Sequence, residues 1–78
     1  MKRVTKALML IKSSYGGALL ITQEAKKVSG VEEVYLVFGR YDVAAFIDVA
    51  DFQRVKETAV KVGQLEGVRS TETLPEGD

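Results

Sequence analysis

Seventy-eight residues with no cysteine and no histidine make one small domain without disulfide staples or the usual zinc and copper ligands, so no metal and no cofactor is expected. Eleven Lys plus Arg balance eleven Asp plus Glu, which removes the basic face a phosphate backbone needs and leaves no direct nucleic-acid partner. A core of this size supplies only about 3–5 kcal/mol, so oligomerisation is the remaining way to reinforce it.

Residues 4–12, Val4 to Lys12, read as a strand that ends at the turn-rich Ser13-Ser14-Tyr15-Gly16-Gly17. Both of its faces are apolar, the mark of a strand buried on two sides. Residues 17–28 read as a helix, because Ala18, Ile21, Ala25 and Val28 form one stripe at helical spacing. Lys26 and Lys27 suit the negative end of its dipole, and Ser29-Gly30 ends it.

Residues 31–49 hold two apolar runs that meet at Gly39-Arg40. A glycine at such a corner predicts a hairpin, since it reaches positive φ without a Cβ clash. Asp51 is placed to cap a second helix whose stripe is Phe52, Val55, Ala59 and Val62, with Leu65 continuing it. Residues 67–74 read as a last strand of mixed polarity, suited to a sheet edge, and Pro75 to Asp78 as a frayed end.

The order β-α-β-β-α-β, with Gly-Val opening a strand at both Gly30-Val31 and Gly67-Val68, predicts an α+β, ferredoxin-like fold. Right-handed crossovers then give an antiparallel sheet of order 4-1-3-2 with both helices on one face. We assign Leu8, Leu10, Val34, Leu36, Phe38, Val43, Ala45 and Ile47 to the helix-covered face. The opposite face would carry Ala7, Met9, Ile11, Tyr35, Val37, Ala44 and Phe46, an apolar patch larger than a monomer normally exposes. A face-to-face two-fold dimer is expected to cover it, with Met9, Ile11, Tyr35, Val37 and Phe46 in the interface.

No apolar run approaches the roughly 20 residues of a membrane span. The Met1-Lys2-Arg3 start is followed too soon by Lys12 to be a signal peptide. The expected location is the cytoplasm, with no membrane partner. The basic start (Lys2, Arg3, Lys6) and the acidic end (Glu72, Glu76, Asp78) are expected to meet across adjacent strands, as exposed pairs of about 0–1 kcal/mol.

Gly30-Val31, Gly39-x-Tyr41-Asp42, Gly67-Val68 and Thr71-x-Thr73, in this order on this strand pattern, resemble the Lrp/AsnC effector domain, also called RAM. The resemblance runs from Val4 to Leu74. It implies dimerisation through sheets, assembly of dimers into a higher oligomer, and a free amino acid as effector bound between dimers. Full-length members carry a helix-turn-helix domain, which this sequence lacks, so it looks like a stand-alone RAM domain, with full-length Lrp/AsnC regulators as candidate partners. One departure is Ser14-Tyr15-Gly16-Gly17, where many members have Pro-Gly.

A zwitterion needs an anion for its ammonium and donors for its carboxylate. Asp42 can supply the first; Arg40, or turn N–H groups near Gly39 and Arg40, can supply the second, with Tyr41 packing beside them. Equally, Gly39 to Asp42 can be a plain turn in which Asp42 accepts backbone N–H bonds. Thr71 and Thr73 can offer hydroxyls to the same ligand, or simply reflect the β-propensity of threonine. In sheet order 4-1-3-2 the hairpin and the last strand lie apart, so a ligand touching both must sit between subunits. Without His, Cys or Asn the chain lacks the common bases, nucleophiles and oxyanion donors, and an enzyme is not expected. The function expected is an amino-acid-binding, oligomer-forming effector domain; the alternative is a purely structural oligomerisation module.

Overall fold

The computed structural model describes residues 5–76. Four strands and two helices follow the expected order: β1 (Thr5–Ser13), α1 (Ala18–Ala25), β2 (Val31–Leu36), β3 (Val43–Val49), α2 (Phe52–Gly63) and β4 (Val68–Pro75). The sheet runs β2-β3-β1-β4 with every neighbouring pair antiparallel. This is the ferredoxin-like arrangement, read from its other edge.

The core lies between sheet and helices. Met9, Ile11, Val43, Ala45 and Ile47 point into it from the central strands, and Ile21, Ala25, Val55 and Val62 from the helices. Each fully buried Ile or Val contributes about 1.5–3 kcal/mol relative to leaving it in water.

One face assignment is corrected here. Met9 and Ile11, expected in a dimer interface, are fully buried beneath the helices, with Ala7 beside them. Leu8 and Leu10 take the open side instead. The register decides it: Met9 pairs with Ala45 and Ile11 with Val43, and residues directly opposite in an antiparallel pair share a face. β1 is apolar on both sides, so its alternation carries no parity. On β3 the parity is legible, because Asp48 marks the solvent side.

The open face therefore presents Leu8, Leu10, Tyr35, Ala44, Phe46 and Leu74. Tyr35 is 50% exposed and Phe46 is 40% exposed, and their rings meet edge to face with centroids 6.0 Å apart. Val37, expected on this face, lies just past β2, which stops at Leu36, and begins the connection to β3. Phe38, expected under the helices, lies in that connection and is fully exposed.

α1 is shorter than the stripe suggested. Past Ala25 the N–H groups of Lys27 and Val28 bond back to the carbonyls of Glu24 and Ala25, which tightens the last turn into 3₁₀ form. Val28 still packs on the core. The turn closes at Gly30, where φ is +100° and a Cβ would stand 2.5 Å from Thr58 Oγ1 and 2.9 Å from Val49 Cγ1. Only glycine fits there.

Asp51 caps α2 as expected, its carboxylate accepting the Arg54 N–H at 2.9 Å. Phe52 departs from the expected stripe. Its ring is half exposed, with the Lys56 ammonium 5.3 Å from its centre. Thr58 is the buried polar side chain of α2, and its hydroxyl donates to the Ser29 carbonyl at 3.3 Å, tying this helix to the turn after α1. At the strand ends Glu76 N–H donates to the Lys6 carbonyl at 2.8 Å. Of the expected charge pairing, Glu72 accepts the Tyr41 hydroxyl instead, while Lys2, Arg3 and Asp78 lie outside the described residues.

Candidate functional site

The connection between β2 and β3 is closed by the Val37 N–H, which donates to the Asp42 carbonyl at 2.9 Å. Gly39, at its exposed tip, has φ +115°, and a Cβ there would meet nothing within 4 Å. Conformation, not space, asks for glycine at this position. Arg40 is exposed, and its carbonyl accepts the Lys12 ammonium at 3.1 Å.

Asp42 ends the connection by locking it to β1. Its N–H donates to the Ile11 carbonyl at 2.9 Å. Its Oδ2 accepts both the Ser13 N–H at 2.9 Å and the Ser13 hydroxyl at 3.0 Å. These donors favour the charged form. The Ser13 N–H, then its hydroxyl, hold the Asp42 carboxyl below the usual carboxylate range; partial burial opposes them and the Lys12 ammonium assists. Asp42 is thus a stable anion at neutral pH.

Tyr41 reaches the other way. Its hydroxyl donates to Glu72 Oε1 at 2.6 Å, crossing β1 to reach β4. The hydrogen bond to the Glu72 carboxylate, then burial, then the Glu72 charge raise the Tyr41 phenol above its ordinary value, and Arg40 opposes them. β1 does lie between the hairpin and the last strand, as the expected sheet order requires, and Tyr41 is long enough to bridge it within one chain.

Asp42 lies in a groove of about 660 Å³ at the C-terminal end of β1. Lys12 and Arg69 supply its positive charge, and Tyr15, Ala18, Leu19 and Leu36 its apolar wall. The loop after β1 forms one side. Ser14 is held there by its N–H and its hydroxyl, which both donate to the Gly67 carbonyl at 2.8 and 3.2 Å. Gly17 packs so close that a Cβ would meet Ser14 O at 3.3 Å and the Gly67 Cα at 3.5 Å. That contact fixes the start of β4, and with it Arg69, beside the groove.

Of the residues singled out from the sequence, Asp42 lies in this groove, while Arg40 and Tyr41 adjoin it. Thr71 and Thr73 do not join them. They pair with Ile11 and Met9 on the helix side of β4, and Thr73 lines a different groove, against Phe52, Val55 and Pro75 of the α2 side. Ser13, Lys12 and Arg69 were missed. Asp42 and Ser13 are 29 residues apart, and no spacing rule links them. The glycine-rich loop after β1 was the one available signal.

Among the described residues no group of three or more His, Cys, Asp or Glu side chains is placed to hold a metal ion, and no helix is long and apolar enough to cross a membrane.

The model of the Lrp/AsnC ligand binding domain matches residues 6–75 of this chain. By structure the chain is similar to TTHA0845 from Thermus thermophilus, at 28% identity and TM-score 0.89, covering 95% of this chain and 94% of that one. It is also similar to the hypothetical protein PHS023 from Pyrococcus horikoshii, at 18% identity and TM-score 0.84, covering 92% of this chain and 88% of that one. AsnC of E. coli aligns at 18% identity and TM-score 0.83, with 92% of this chain matched to 50% of AsnC. At 18% identity the last two show a shared fold. Among curated proteins none matches at a significant level.

Proposed function

The chain belongs to the Lrp/AsnC ligand binding domain family, and from that premise we propose that it is a cytoplasmic amino-acid-sensing module that works by assembly. One observation carries this reading. A single groove holds the Asp42 carboxylate together with Lys12 and Arg69, the charges of both signs that a zwitterion needs. Asp42 takes the ligand ammonium on the oxygen that Ser13 leaves free, and a cation takes the carboxylate.

Assembly is the second half of the proposal. Tyr35, Phe46, Leu8, Leu10 and Leu74 leave an apolar sheet face that a second copy covers in a two-fold dimer. Dimers then join into a higher oligomer, or associate with full-length Lrp/AsnC regulators, and an effector binding near the β2–β3 connection biases that association.

A thermal-melt screen against the twenty free amino acids, with assembly mass followed in parallel, tests both halves. Ligand at 100 times its Kd adds about 2.7 kcal/mol per site. At roughly 4–8 °C per kcal/mol for a domain this small, an effector stands clear of the background. Asp42→Ala should abolish the shift while the dimer persists; a normal shift in that variant would remove the carboxylate from its assigned role.

A different observation favours the structural module. The Asp42 carboxylate is already bonded twice to Ser13, and the Tyr41 hydroxyl to Glu72, so both side chains already serve the fold. A stable assembly with no shift from any amino acid would decide for it.

A further inference from the structure

We infer that the amino acid this groove prefers is an acidic one, L-glutamate or L-aspartate; the inference rests on the groove being the effector site proposed above. The groove's side chains carry two cations, Lys12 and Arg69, and one anion, Asp42. An α-amino acid with an uncharged side chain uses Asp42 for its ammonium and one cation for its carboxylate. The second cation is then left facing ligand without a counter-charge. A second carboxylate supplies that charge.

The hydroxyls point the same way. Ser13 Oγ donates to Asp42 and Ser14 Oγ donates to the Gly67 carbonyl. Their protons are committed, so both oxygens offer lone pairs, which suit an ammonium and not a carboxylate. Apart from the Tyr15 hydroxyl, Lys12 and Arg69 are the side-chain donors of the groove. Arg69 adds a planar fork that takes a carboxylate bidentately, a geometry an amide cannot match. Lys12 spends one donor on the Arg40 carbonyl and keeps two. The apolar wall of Ala18, Leu19 and Leu36 needs to cover no more than the one or two methylenes between the charged ends.

L-Glutamate against L-glutamine is the decisive comparison, because the two differ by one charge and almost no volume. Titration calorimetry on the whole chain should give glutamate at least roughly tenfold tighter than glutamine, the size of one charge-assisted bond. Arg69→Gln should bring that ratio towards one with an unchanged melting temperature, since Arg69 is exposed; Lys12→Gln provides a second variant should Arg69→Gln fold poorly. Glutamine or leucine binding as well as glutamate would overturn the acidic preference and leave the amino-acid reading standing. A glutamate preference unmoved in both variants would place the ligand outside this groove and overturn the assignment. Absence of binding by every amino acid would remove the effector reading and this inference together.

Discussion

The Tyr41 hydroxyl and the Glu72 carboxylate meet at 2.6 Å, joining the β2–β3 connection to β4 over the strand that separates them. The contact makes one unit of two segments remote in sequence. It also holds the phenol protonated, because Glu72 accepts its hydrogen and repels a phenolate.

A pH dependence follows. A tyrosine whose folded pKa is raised contributes stability that is complete below the unfolded value of about 10 and is lost as pH rises through the folded value. Tyr41→Phe should therefore flatten the alkaline fall in melting temperature above about pH 10. Tyr35, whose hydroxyl bonds Glu33 at 2.7 Å and whose phenol is also raised, titrates in the same range. The quantity to measure is thus the difference between the variant and the parent chain. Parallel alkaline limbs would show that the Tyr41 bond does not persist in solution.

Asp42 gives the acid counterpart, with the opposite sign. Its depressed folded pKa contributes stability above the unfolded aspartate value of about 3.9, lost as pH falls through the folded value. Asp42→Asn keeps an acceptor for Ser13 and removes the charge, so its melting temperature should fall less between pH 5 and pH 2 than that of the parent. Ser13→Ala, which deletes one of the two donors, should give an intermediate slope. Equal slopes in all three chains would count against the Asp42–Ser13 contact.

Two glycines make a matched pair. Gly30→Ala combines positive φ with a Cβ 2.5 Å from Thr58 Oγ1, and should destabilise by about 1–3 kcal/mol. Gly63→Ala ends α2 with nothing within 4 Å, and should stabilise by about 0.4–1 kcal/mol. Denaturant titration reads both, and the same sign for the pair would contradict the local geometry at one of them.

Phe46→Glu tests the open face. The side chain is 40% exposed, so one chain tolerates the change, but a carboxylate centred in an apolar interface lacks a partner and its desolvation opposes association. Sedimentation should shift from the dimer mass to the monomer mass with the circular dichroism spectrum retained. A dimer of unchanged mass would move the interface elsewhere.

Most of the fold was legible because it rests on local rules. The Ile21 and Ala25 stripe, the Asp51 cap and the glycine breaks at Gly30 and Gly67 each act within a few residues. Strand order followed from crossover handedness. The candidate site was legible only in part. Asp42 and Tyr41 stood out as types, yet their partners, Ser13 and Glu72, are neighbours through β1 and not through the chain. Thr71 and Thr73 stood out through the family pattern, and the β1–β4 register sets them on the helix side, away from the Asp42 groove.

What the sequence determined by itself was the succession of elements and the family they belong to, because backbone preference and side-chain period are short-range. What only the tertiary structure decided was parity and proximity. β1 is apolar on both faces, so nothing within it says whether Met9 or Leu10 is buried; pairing with β3, whose Asp48 must face outward, settles the matter. The groove likewise exists only once β1, the β2–β3 connection and β4 lie side by side, since its charges come from three segments that no local rule brings together.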